Sequence, residues 1–168
     1  MDKKIETSNA EKVKRRVGKL LKEYGFSRTK STFYTRVLND RVEFVHLHKF
    51  TFGPIFRVHL GIRFFCDSFD AVALNGPDSD PHRYNKEYSM KFWKEEDTLD
   101  RCANDILGFV KTIGFDWFDK WKDNNSLLNS LESPLKDNIK EEYLKMQNGF
   151  ISKDVYSKSC ELLGIEAE

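Results

Sequence analysis

Two periodicities divide the chain. From residue 32 to residue 65 apolar and polar positions alternate, and elsewhere the apolar residues recur every three or four positions. The first helical stretch is predicted from about Ser8 to Tyr24, with Val13, Val17, Leu20, Leu21 and Tyr24 as its buried stripe. Ser8 and Glu11 have capping-box spacing, and Gly25 supplies a left-handed stop. Three strands follow, "TFYTRVL" (32–38), "RVEFVHLHKF" (41–50) and "IFRVHLGIRFF" (55–65). Asn39-Asp40 and "TFGP" join them as tight turns, so the pairing is antiparallel. A fourth strand is expected at "EYSMKFW" (87–93), beyond a polar loop at 66–86 that is long for a compact domain.

The remainder, 97–164, reads as helical. Asp97 and Asp100 open a helix with Leu99, Cys102, Ala103, Ile106, Leu107, Val110 and Ile113 on one side, closed by Gly114. A short aromatic helix follows from Trp117 to Trp121. Another begins at Ser133-Pro134 and stops at Gly149, and a last one is capped by Ser152 and ends near Gly164. Strands followed by helices, without alternation, predict an α+β fold. It has an antiparallel sheet of about four strands, with an N-terminal helix and a C-terminal group of helices packed on one face. All of 1–168 is read as one domain.

Register places the candidate chemistry. With the second turn centred between Phe52 and Gly53, His46 falls opposite His59, Leu47 opposite Val58 and His48 opposite Arg57. One face then carries Val45, Leu47, Phe56, Val58, Leu60, Ile62 and Phe64, a core. The other carries Phe44, His46, His48, Arg57, His59 and Arg63, with Gly61 opposite Phe44 and Phe33, Thr35 and Val37 added by the first strand. Three of the chain's four histidines therefore share one surface.

Composition narrows what that surface can do. No run approaches the roughly 18 apolar residues of a membrane span, and the charged start "MDKKIETSNAEKVKRR" has no apolar signal segment. Three scattered cysteines suit neither a disulfide framework nor a zinc knuckle, so a cytoplasmic protein is expected. Net charge is +1, but residues 1–36 carry 11 Lys/Arg against 4 Asp/Glu, so the cationic excess lies at the start. Zinc could take His46, His48 and His59, but two arginines on the same face repel a dication, and no metal or cofactor is assigned. A two-histidine phosphoesterase needs His-x-Ser/Thr pairs, and "HLH" and "HLG" lack the hydroxyl. "NGPDSD" lacks the order of a calcium loop and reads as a turn. Imidazoles beside guanidiniums can instead donate hydrogen bonds to a carboxylate or phosphate, with Phe33 and Phe44 as apolar anchors.

The stretches "LLKEYGFSRTKSTFYTRV", "VEFVHLHKFTFG" and "FRVHLGI" resemble the bacterial domain-of-unknown-function 4304 family over about residues 10–130. Where that family carries amide side chains, this chain has His46, His48 and His59. The resemblance therefore implies a hydrogen-bonding surface in place of a metal or catalytic centre. Some members look like immunity or accessory proteins, which implies a protein partner such as a toxin. Two other partner classes are weighed. One is the chain's own copy, packed through the aromatics of "FDWFDKW" (115–121). The other is a nucleic acid or phosphate ligand, ranked behind a protein. No membrane contact is expected. The competing reading is a phosphodiesterase or nuclease using His46 or His59 as base and Arg57 as anion clamp.

Overall fold

In a computed structural model that describes residues 1–80 and 87–167, the chain forms an α+β fold around one antiparallel sheet. Helix α1 (Lys3–Lys22) precedes strands β1 (Ser27–Arg28), β2 (Phe33–Val37), β3 (Arg41–Lys49) and β4 (Phe56–Phe64), ordered 1-2-3-4 across the sheet. Helix α2 (Glu96–Phe109) runs through a π-helical turn (Val110–Gly114) into α3 (Phe115–Lys120). Short α4 (Asn124–Asn129), a 3-10 turn (Asp137–Ile139), α5 (Lys140–Gln147) and α6 (Lys153–Leu163) complete it.

Alternation decides the layers. Val45, Leu47, Phe56, Val58, Leu60, Ile62 and Phe64 point to one side. They bury against Val13, Val17 and Leu21 of α1 and Leu99, Cys102, Ile106 and Phe109 of α2. Three charged side chains, Arg36, Arg41 and Glu43, share this face without breaking it. Arg36 bonds fully buried Glu43 at 2.6 Å, its guanidinium 4.6 Å from the Phe26 ring centroid. Arg41 is held by Asp40 and donates to the Trp121 carbonyl at 2.7 Å.

Several expectations change. Helix α1 starts earlier, because the Asp2 carboxylate, not Ser8, caps it and accepts from the Lys4 N–H at 2.7 Å. The fourth strand is Ser27–Arg28. Residues 87–93 form no strand and contribute one bridge, Lys91 to Ile55, with flanking backbone bonds to Pro54 and Phe56. Gly114 does not end its helix: its conformation is helical, and a Cβ there would lie 2.8 Å from Leu60, so its small size lets the helix cross the sheet closely. Phe118 and Trp121 are buried, so "FDWFDKW" builds core in place of a self-association patch. Residues 75–79 run along the free edge of β4 and so are part of the sheet's hydrogen bonding. Residues 81–86 of the expected long loop lie outside the described residues.

The largest departure is that the helices do not all pack on one face. Val42, Phe44 and Phe65 form a second cluster with Cys160 and Leu163 of α6 on the opposite side of the sheet. That helix covers only part of the face, and no helix among the described residues covers the rest.

Part of the cationic excess near the N-terminus is met by carboxylates of other elements and of α1 itself. Lys12 and Arg16 pair with Glu96, Arg16 also with Asp100 at 3.0 Å, and Arg28 with Glu11 at 2.7 Å. The acidic first turn of α2 is thereby tied to α1.

Candidate functional site: the uncovered end of the second sheet face

The register is the one the turn implies: His46 opposite His59, His48 opposite Arg57, Gly61 opposite Phe44 and Phe33 opposite His46. His46, His48, Arg57, His59 and Phe33 emerge together at the end of the face that α6 leaves uncovered. His48 is exposed and the other four are half-buried. The Phe33 and His46 rings lie 4.5 Å apart, and those of His46 and His59 5.8 Å.

Phe44 and Arg63 do not join them at the surface. Phe44 is fully buried, its ring lying over Gly61, where a Cβ would come within 2.1 Å of it. Gly61 is therefore a requirement of packing. Arg63 is 2 % exposed beneath α6. Its guanidinium donates to Ser159 Oγ at 2.9 Å and to the carbonyls of Asp67, Phe69 and Ala71 at 2.7–2.9 Å, holding the 67–71 loop against the sheet.

Electrostatics reshape what remains. Burial, with smaller contributions from His59 and His48, pushes the His46 imidazole down to about 4, so it is neutral at pH 7. Burial also lowers His59; Asp78 opposes that shift, and Arg57 and His48 reinforce it. Arg57 is paired with Asp78 at 3.0 Å. The segment that brings Asp78 is firmly held: the Leu60 N–H donates to the Pro77 carbonyl, Ser79 N–H to Val58 and Gly76 N–H to Leu60, while Asn75 bonds both backbone groups of Ile62. Two donors or acceptors at this end, His46 Nδ1 and Arg57 Nε, are buried with no hydrogen-bond partner among the described residues. That is a cost unless something supplies one.

The patch is thus mainly neutral and aromatic, with one compensated guanidinium. Among the described residues no three His, Cys, Asp or Glu side chains converge as metal ligands. His48 packs edge-on to Phe50 at 5.4 Å, and Phe50 stacks on Phe52 at 4.8 Å. Phe50 and Phe52 continue the 44-46-48 alternation into the turn. That periodicity was the available signal for them, while Asp78 had none beyond a turn-like composition.

Comparison of the chain with models of protein families, with curated proteins and with solved structures found no match. No helix among the described residues is long and apolar enough to cross a membrane.

Proposed function

We propose that the protein is a non-enzymatic binding module, of the immunity or accessory type that its resemblance to the domain-of-unknown-function 4304 family implies. Its uncovered sheet end docks a protein partner that presents carboxylates. The observation that carries this reading is the half-buried trio His46, Arg57 and His59, gathered at the end of the face that no helix among the described residues covers. Phe33 and His48 supply ring surface around them, the aromatic contact area that interface centres favour.

The phosphodiesterase reading has less support. A base whose imidazole titrates near 4 is weak at neutral pH, and the proposed clamp, Arg57, is already occupied by Asp78. The test compares affinity capture from native lysate by wild type and by a His46→Ala, Arg57→Ala, His59→Ala variant. A partner captured by the first and lost by the second is expected. An unchanged set of captured proteins would overturn the reading, and so would wild-type phosphodiesterase turnover abolished by His46→Ala plus His59→Ala.

A further inference from the structure

The turn between β3 and β4 breaks a common rule: a tip of this kind is normally polar, yet Phe52 is 80 % exposed there. Its ring stacks on Phe50, centroids 4.8 Å apart and planes 29° from parallel, so an open π-face is held in a fixed orientation. Beside this pair is a cleft of about 390 Å³, within the range of small-ligand sites, lined by Lys3, Glu6, Thr7, Lys49, Phe50 and Phe52 among others. Glu6 is ion-paired with Lys49, which cancels the only carboxylate in the lining. Lys3 is exposed and has no carboxylate within ion-pair distance among the described residues, and neither does Lys4 beside it. The cleft therefore combines a fixed aromatic plane, an uncommitted ammonium and the Thr51 hydroxyl, the Thr7 hydroxyl being already donated to the Lys3 carbonyl.

From this combination we infer that the hairpin tip is a nucleotide-binding site, in which a base stacks on Phe52 and its phosphate is met by Lys3. An aromatic plane accepts any base through its π-face, and an ammonium recognises phosphate as a point charge. A simple apolar ligand would leave Lys3 unused. A protein partner is a poorer match, because lysine is depleted at the centres of protein interfaces. The shared chemistry, base plus phosphate, is supplied equally by a free mononucleotide and by a single nucleic-acid strand. Phe50 touches His48, but neither Phe52 nor Lys3 carries the function proposed above, so this site stands or falls separately from it.

The experiment uses the full chain and four probes. They are a fluorescein-labelled 12-nucleotide oligouridylate followed by anisotropy, the same length as duplex, AMP by equilibrium dialysis, and a labelled oligoglutamate peptide. Expected is binding of the single strand, of AMP, or of both, with the duplex weaker because its bases are already stacked. Single strand together with AMP, or AMP alone, identifies a mononucleotide site; the strand alone identifies a strand site. With Lys3 and Lys4 as the phosphate contacts, raising salt from 50 to 200 mM weakens the strand about sevenfold. Phe52→Ala weakens either ligand about 5- to 150-fold, as the loss of one stacked base requires. Lys3→Gln reduces the salt effect on the strand to about threefold, the share that Lys4 supplies. Phe52 is exposed, so its variant is expected to keep the wild-type melting temperature. Failure to bind strand and AMP, equal binding by Phe52→Ala, or binding of the oligoglutamate alone would each overturn the inference.

Discussion

Gly61→Ala tests the packing that separates the covered and uncovered parts of the second face. An added Cβ at 61 would sit 2.1 Å from Phe44 Cζ and 2.7–2.8 Å from the two flanking ring atoms. The ring has to move, and its surroundings oppose that: Phe44 is fully buried among Val42, Cys160 and Leu163, with the Phe33 ring 5.6 Å away. Overpacking of this kind costs about 1–3 kcal/mol, against which alanine regains about 0.5–1 kcal/mol of the glycine's conformational cost. The expected net loss is about 1–2 kcal/mol, or about 2–8 °C in Tm for a chain of this size. Urea denaturation of four proteins measures it: wild type, Gly61→Ala, Phe44→Ala and the double variant. Phe44→Ala alone loses about 3–5 kcal/mol through the cavity it leaves. In that background Gly61→Ala has no ring to meet, so it is neutral or slightly stabilising, and the coupling energy is 1 kcal/mol or more. A coupling near zero, or a Gly61→Ala variant as stable as wild type, would refute the argument that Phe44 needs the missing Cβ.

Acid should weaken the fold through His46. Its folded imidazole binds a proton less readily than the unfolded one, so the stabilisation is complete above about pH 6.5 and lost as pH falls towards 4. Discounted for its partial exposure, the loss is about 1–2 kcal/mol, and His46→Asn removes this part of the pH dependence in urea melts between pH 4 and 7. Arg63→Ala leaves three loop carbonyls and Ser159 without their donor, at a cost of about 3–5 kcal/mol. Limited proteolysis should then cut within 67–71, and cleavage no faster than in wild type would count against the collar around the guanidinium. All three cysteines are buried, and burial pushes the Cys66 and Cys102 thiols up to about 12. An aromatic disulfide reagent should therefore react slowly with the native protein and with all three thiols in guanidinium chloride.

Much of this molecule was determined by local pattern. The alternation from Val45 to His48, the apolar 56-58-60-62-64 series and a turn at Phe52-Gly53 are enough to set register, because a slip by one residue would exchange the two faces. The grouping of His46, His48, Arg57 and His59 follows from that register alone. Tertiary structure decided which parts of the second face stay open. Helix α6, distant in sequence, buries Phe44 and Arg63 and stops short of the histidines, and nothing in the strand pattern marks where a remote helix ends. It also decided charge. Arg57 looks like a free cation until residues 75–79 lie along β4 and bring Asp78 to it, and Lys12 and Arg16 of α1 look like part of an open basic face until Glu96 and Asp100 dock on them. Side-chain direction is a short-range property of the backbone, whereas burial and net field depend on every element that packs nearby, and those contacts join residues that the linear order keeps far apart.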